Sequence, residues 1–158
     1  LKVASEHANS QAAGRALLMA AGGLFAQAKY AEAQAQFEKF VREHRSSGFV
    51  AEAQLGVAAS LEAQGKTNEA VTAYRNLVDR HPGQAVIPQA KFALARIYEA
   101  RNEPAMARPL YEEIARVDPY GSIGSEAGMR LEELKAKYPN LATNATPVSP
   151  SLGTSTNQ

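Results

Sequence analysis

The sequence has no cysteine and no tryptophan, and only 11 glycines and 8 prolines among 158 residues. Without cysteine there is no disulfide framework, no thiolate metal site and no cysteine nucleophile, and the redox compartment is left open. An excess of charge of one sign is also missing. With 17 basic against 16 acidic residues, formal net charge +1, the chain lacks the electrostatic footprint of a nucleic-acid or anionic-membrane binder. The longest apolar-leaning stretch, Ala16 to Ala28, is short of the ~20 residues a membrane span needs, so direct insertion of this segment into a membrane is not expected. No signal peptide is visible and the first residue is Leu, so the chain reads as a processed or trimmed piece of a longer one.

What is abundant is alanine, at 31 positions. Alanine loses no side-chain entropy in a helix, and β-branched residues are sparse, so the composition favours an all-α domain. The length suits one domain with a real core. Every charged residue lies at or before Lys137, and residues 139–158 form an uncharged Pro/Ser/Thr/Asn-rich tail. Such a tail cannot bury enough apolar surface to offset the entropy of ordering, and reads as a linker or disordered extension. The Asn144-Ala145-Thr146 acceptor pattern within it is what chance supplies in such a composition.

Before the tail the sequence repeats itself every 37 residues. Ala16, Ala53, Ala90 and Ala127 keep this step, as do Ala33, Ala70 and Ala107. Aromatic Phe37, Tyr74 and Tyr111 follow it, with bulky Val3, Phe40, Leu77 and Ile114. Within each unit the apolar spacing is helical. It predicts first helices over 10–27, 49–64, 85–100 and 122–137, and second helices over 30–45, 67–81 and 104–117. Gln64-Gly65-Lys66-Thr67-Asn68 and Arg101-Asn102-Glu103-Pro104 separate the helices of a pair, while His81-Pro82-Gly83 and Asp118-Pro119-Tyr120-Gly121 close second helices. Residues 1–8 read as the end of a truncated repeat, followed by repeats at 10–45, 49–82 and 85–119. Where Val57, Ala58 and Leu61 stand in the second unit, the last helix has Leu131, Glu132 and Lys135. Charges at packing positions identify 122–138 as a cap helix closing a 1–138 solenoid.

These columns resemble the tetratricopeptide repeat signature. The second unit carries it best, with Val57, Ala58, Leu61, Gly65, Ala70, Tyr74, Leu77 and Pro82; the third keeps Leu94, Ala95, Tyr98, Ala107, Tyr111 and Pro119 but has Asn102 for the usual Gly, and the first has Ala28 there. The resemblance implies a right-handed superhelix of antiparallel helix pairs without a cofactor, acting as a non-catalytic scaffold for a protein or peptide. The 37-residue period, three longer than usual, is similar to that of bacterial cell-envelope members of the family, of the outer-membrane-assembly, Tol-Pal-associated and Sec-ancillary types. An envelope or periplasmic setting, with an anchor in a missing N-terminus, is the expectation from this likeness; a cytoplasmic setting is the alternative.

The family's binding surface is the concave face made by first helices. Transferred by position, it comprises Arg15, Leu18, Met19, Gly22 and Phe25 from the first unit, Glu52, Leu55, Gly56, Ala59 and Glu62 from the second, and Gln89, Phe92, Arg96 and Glu99 from the third. An apolar middle with intermittent charge suits an amphipathic helix or an extended apolar segment. The competing reading makes Leu18, Leu55 and Phe92 ordinary core. The Lys/Asn clamp with which chaperone-binding members hold acidic C-terminal tails is replaced by Leu18, Gly22, Gly56, Gln89 and Ala93. A homo-oligomer built through the repeat edges is the alternative to an adaptor.

Other chemistry finds little support. His44 and His81 stand one repeat apart, where stacked helices are ~8–10 Å distant, too far for one ion with ~2 Å bonds. Both read better as helix C-terminal residues favoured by the dipole. Glu112-Glu113 and Glu132-Glu133 are adjacent in sequence and diverge on a helix, and Gly22-Gly23 lies inside a helix, not in a phosphate loop.

Overall fold

The computed structural model describes residues 2–141, with side chains from residue 12 onward. The tail from residue 142, with its Asn-X-Thr pattern, lies outside the described residues. The described chain is seven helices: α1 (Lys2–Ala26), α2 (Tyr30–Glu43), α3 (Val50–Ala63), α4 (Thr67–Arg80), α5 (Ile87–Ala100), α6 (Pro104–Val117) and α7 (Ser122–Lys137). Each helix packs on the next, and α1 also touches α3 as α5 touches α7, so the pairs stack into an all-α solenoid.

The period follows from the parts. The helices α2 to α6 are each 14 residues long. A three-residue turn within a pair and a six-residue connection between pairs complete the 37-residue unit. The turn is the same device three times. Ala28, Gly65 and Asn102 take φ of 59°, 76° and 58°. The amides just beyond, at Lys29, Lys66 and Glu103, donate back to the carbonyls of Leu24, Leu61 and Tyr98 at 3.0, 3.0 and 2.8 Å. This closes each first helix through a left-handed residue and satisfies an orphan carbonyl.

The small columns do the packing expected of them. Ala33, Ala70 and Ala107, with Ala58 and Ala95, are wholly buried, and Phe37, Tyr74 and Tyr111 fill the space between pairs. Small residues let helix backbones approach until the aromatic side chains occupy the wedge, where native packing density leaves no slack. One cluster joins the second and third pairs to α7, with Leu61, Tyr74, Leu77, Leu94, Tyr98, Tyr111, Ile114 and Leu134; another holds Ala21, Ala33, Phe37, Phe40 and Ala53 around the first pair.

One sequence expectation requires correction. Residues 2–26 form one continuous helix, so 1–8 is not an element separate from the first helix that begins at residue 10. The stretch from Ala4 to Ala13 contains no Gly or Pro, whereas every later connection between pairs contains at least one. The connection before α7 is shorter than the others, and α7 starts at Ser122, where the spacing places it. There Gly121 donates to Asp118 Oδ1 at 3.0 Å, and a Cβ on Gly124 would lie 1.6 Å from the Asp118 carbonyl oxygen. Glycine is required by that close approach.

The ends of the stack differ. In α3, α5 and α7 the face turned to the preceding helix carries Ala53, Gly56 and Ser60, then Ala90, Ala93 and Ile97, then Ala127, Arg130 and Leu134. The same register in α1 holds Ala16, Met19 and Gly23, all exposed, with Met19 at 78%. At the other end, Glu132 and Lys135 lie on the outer side of α7 and pair at 2.9 Å, while Leu131 and Leu134 are buried beneath them.

Candidate partner-binding face

On each first helix the positions i, i+3, i+7 and i+10 share one face. Four rows therefore cross the stack at the 37-residue step. Arg15, Glu52, Gln89 and Glu126 form the first, and Leu18, Leu55, Phe92 and Met129 the second. Gly22, Ala59, Arg96 and Glu133 make the third, then Phe25, Glu62, Glu99 and Ala136 the fourth. The second row is apolar across all four helices. Leu18, Leu55 and Phe92 are half-buried and packed against core, and Met129 is 61% exposed. These side chains are core on one flank and surface on the other.

Two of the expected residues lie elsewhere. A Cβ on Gly56 would come within 2.6 Å of the Phe37 ring, so its bare Cα admits that ring between α2 and α3; it is a packing residue. Met19, at the same register, faces outward at the end of the stack because no helix precedes α1 there among the described residues. Phe25 is partly buried and meets Tyr30 edge-on, with ring centroids 5.1 Å apart. Gly22 has nothing within 4 Å of where a Cβ would stand, so it is an open spot on the face.

The polar side of the face is more ordered than the spacing suggests. Tyr74 donates to Glu62 Oε2 at 2.8 Å and Tyr111 to Glu99 Oε2 at 3.0 Å. In the first pair the same two positions are Phe37 and Phe25. Hydroxyl and carboxylate thus appear together or are absent together, as a buried polar group needs its partner. Burial first, then the neighbouring Glu62 carboxylate, pushes the Tyr74 phenol well above its ordinary range; burial and the bond to Glu99 do the same for Tyr111. Glu62 also binds the Arg96 guanidinium of the next pair, and Arg130 pairs with Glu133 at 3.6 Å. The hydroxyls and α7's share of the face escape the sequence reading, although adding one period to Phe92 and Arg96 points to Met129 and Glu133.

His44 and His81 are the C-cap residues of α2 and α4, and His44 stacks on Phe40 at 4.9 Å. A separate cleft of about 370 Å³ opens on another side, between the connections that precede α5 and α7. It is lined by Ile87, Pro88 and Val117, with the Lys91–Glu113 ion pair at 2.6 Å. Among the described residues no helix is long and apolar enough to cross a membrane.

Stacked antiparallel helix pairs with an exposed first-helix face define a helical-repeat solenoid. A tetratricopeptide repeat model matches residues 18–85 and 58–122, more than half of the chain, and the chain belongs to the tetratricopeptide repeat family. No curated protein matches it in sequence. Among solved structures it is similar to PcrH in complex with the chaperone binding region of PopD, at TM-score 0.66 and 16% identity over 78% of this chain and 91% of that one. A T3SS complex from Aeromonas hydrophila aligns at TM-score 0.68 and 18% identity, covering 81% and 84%. The Yersinia enterocolitica type III secretion translocator chaperone SycD aligns at 0.68 and 18%, covering 78% and 92%. At these identities the likeness is one of fold. None of the three is an envelope-assembly, Tol-Pal-associated or Sec-ancillary protein by description.

Proposed function

We propose that the protein is a non-catalytic interaction adaptor, chaperone-like in manner, that holds a segment of a partner protein on its first-helix face. The apolar row Leu18, Leu55, Phe92 and Met129 carries this reading: it is continuous in register across four helices, and part of each side chain stays open to solvent. Contiguous apolar surface rimmed by polar residues marks interaction sites on soluble proteins. The similarity to PcrH, solved with the chaperone binding region of PopD, and to a translocator chaperone supports the same use of the fold. A role in envelope assembly or translocation rests on the six-residue connections alone.

Leu55→Arg and Phe92→Arg test this reading. Each should abolish capture of the partner segment in an affinity assay while far-UV circular dichroism stays that of the parent. Undiminished capture by both variants would overturn the assignment of the face.

A second reading, self-association, is favoured by one observation: the bare face of α1 around Ala16, Met19 and Gly23, in the register that is packed in every later first helix. Sedimentation separates the readings, since a concentration-dependent dimer that Met19→Glu dissolves belongs to the second and a monomer at high micromolar concentration to the first.

A further inference from the structure

The charges on the first-helix face do not balance once their internal pairing is counted. Arg96 is held by Glu62, and Arg130 lies beside Glu133. Among the described residues, Glu52, Glu99 and Glu126 have no ion-pair partner, and the one base of the face left over is Arg15. Arg15 stands on α1, whereas the unpaired acids lie on α3, α5 and α7, around the apolar side chains Leu55, Phe92 and Met129. Nearby on the turn side, Arg101 is engaged with Asn68 Oδ1 at 2.7 Å, and Lys66 is exposed at the end of the turn. Glu52 is partly exposed, and the equivalent positions in α1 and α5 are Arg15 and Gln89, so the repeat itself does not call for an acid there.

From this charge pattern we infer that the partner segment is cationic as well as apolar: an amphipathic helix whose leucine-like side chains lie on Leu55, Phe92 and Met129 and whose Lys or Arg residues reach Glu52, Glu126 and Glu99. An acidic segment is repelled by the same three carboxylates. Opposed potentials of this kind set partner choice and encounter rate more than total affinity. The inference rests on the adaptor reading and adds the sign of the partner's charge to it.

The test uses the intact chain and three fluorescent peptides of one length that share leucines at helical spacing and carry lysine, serine or glutamate between them. Anisotropy titration at low salt should rank them lysine, serine, glutamate, with the lysine peptide about tenfold tighter than the serine peptide, as two or three exposed ion pairs supply. Raising salt to about 0.5 M should shrink that advantage severalfold, because exposed charges are then screened. Glu52→Gln with Glu126→Gln should bring the lysine and serine peptides within about twofold of each other. Serine or glutamate peptides binding as tightly as lysine, or a lysine advantage that survives the double substitution, would overturn the inference and leave the adaptor reading standing. No binding by any of the three would overturn the adaptor reading, and this inference with it.

Discussion

The first and last helices of the stack occupy equivalent positions in the repeat and have opposite surfaces. On α1 the register that should meet a preceding helix is Ala16, Met19 and Gly23, and it is bare; on α7 the same register is Ala127, Arg130 and Leu134, packed on α6, while the far side carries Glu132 and Lys135. Repeat architectures bury a continuous core only by stacking and need a polar face where the stack stops. The C-terminal end has such a face and the described N-terminal end does not. The contrast runs into the pairs themselves, since the third pair has Tyr111 bonded to Glu99 where the first has Phe at both positions, Phe37 and Phe25.

The largest expected effect breaks the contrast directly. Leu134→Ala should cost about 2–5 kcal/mol in urea unfolding, since it removes a buried side chain and leaves a cavity. Met19→Ala, at the exposed end, should stay within ~0.5 kcal/mol. Similar losses for both would mean that the α1 face is covered in solution.

A smaller effect sharpens the comparison between the turns. Ala28 holds the left-handed conformation that Gly65 adopts without strain. Ala28→Gly should therefore stabilise the first pair by about 1 kcal/mol, read as a higher urea midpoint at unchanged slope. Asn102→Gly should gain less, because Asn tolerates that region.

The smallest effect at neutral pH is that of the phenols. Tyr74 and Tyr111 keep their protons in the fold beyond the ordinary value of 10.0. Above that pH the unfolded chain releases protons that the folded chain retains, so unfolding is favoured and stability falls as pH rises; below it both states are protonated and nothing changes. The decline in melting temperature above pH 10 should be shallower in Tyr111→Phe, whereas Phe37→Leu in the first pair should leave the slope unchanged.

The repeat made most of this fold legible. Columns such as Ala33, Ala70 and Ala107 are the residues that end up wholly buried, because a period repeated over several copies exposes packing that one helix cannot. The site was legible only as a face. Gly56 occupies the same register as Met19, yet one admits the Phe37 ring and the other points to solvent. Register says where a residue sits on its own helix and nothing of which neighbour has arrived opposite it. The Tyr–Glu bonds span twelve residues and two helices, beyond the reach of helical periodicity. Their trace in the sequence is the exchange of Phe25 with Phe37 for Glu and Tyr in the later copies.

Glu62 takes one hydrogen bond from Tyr74 in its own pair and binds Arg96 of the next. In a one-dimensional stack, the first contributes to the intrinsic stability of a unit and the second to the coupling that makes neighbouring units open together. Phe25, at that position in the first pair, forms neither bond, so opening of the described helices is expected to begin at α1. Amide hydrogen exchange should follow this direction, fastest along α1 and α2 and slowest where Glu62 ties α3 to α4 and α5.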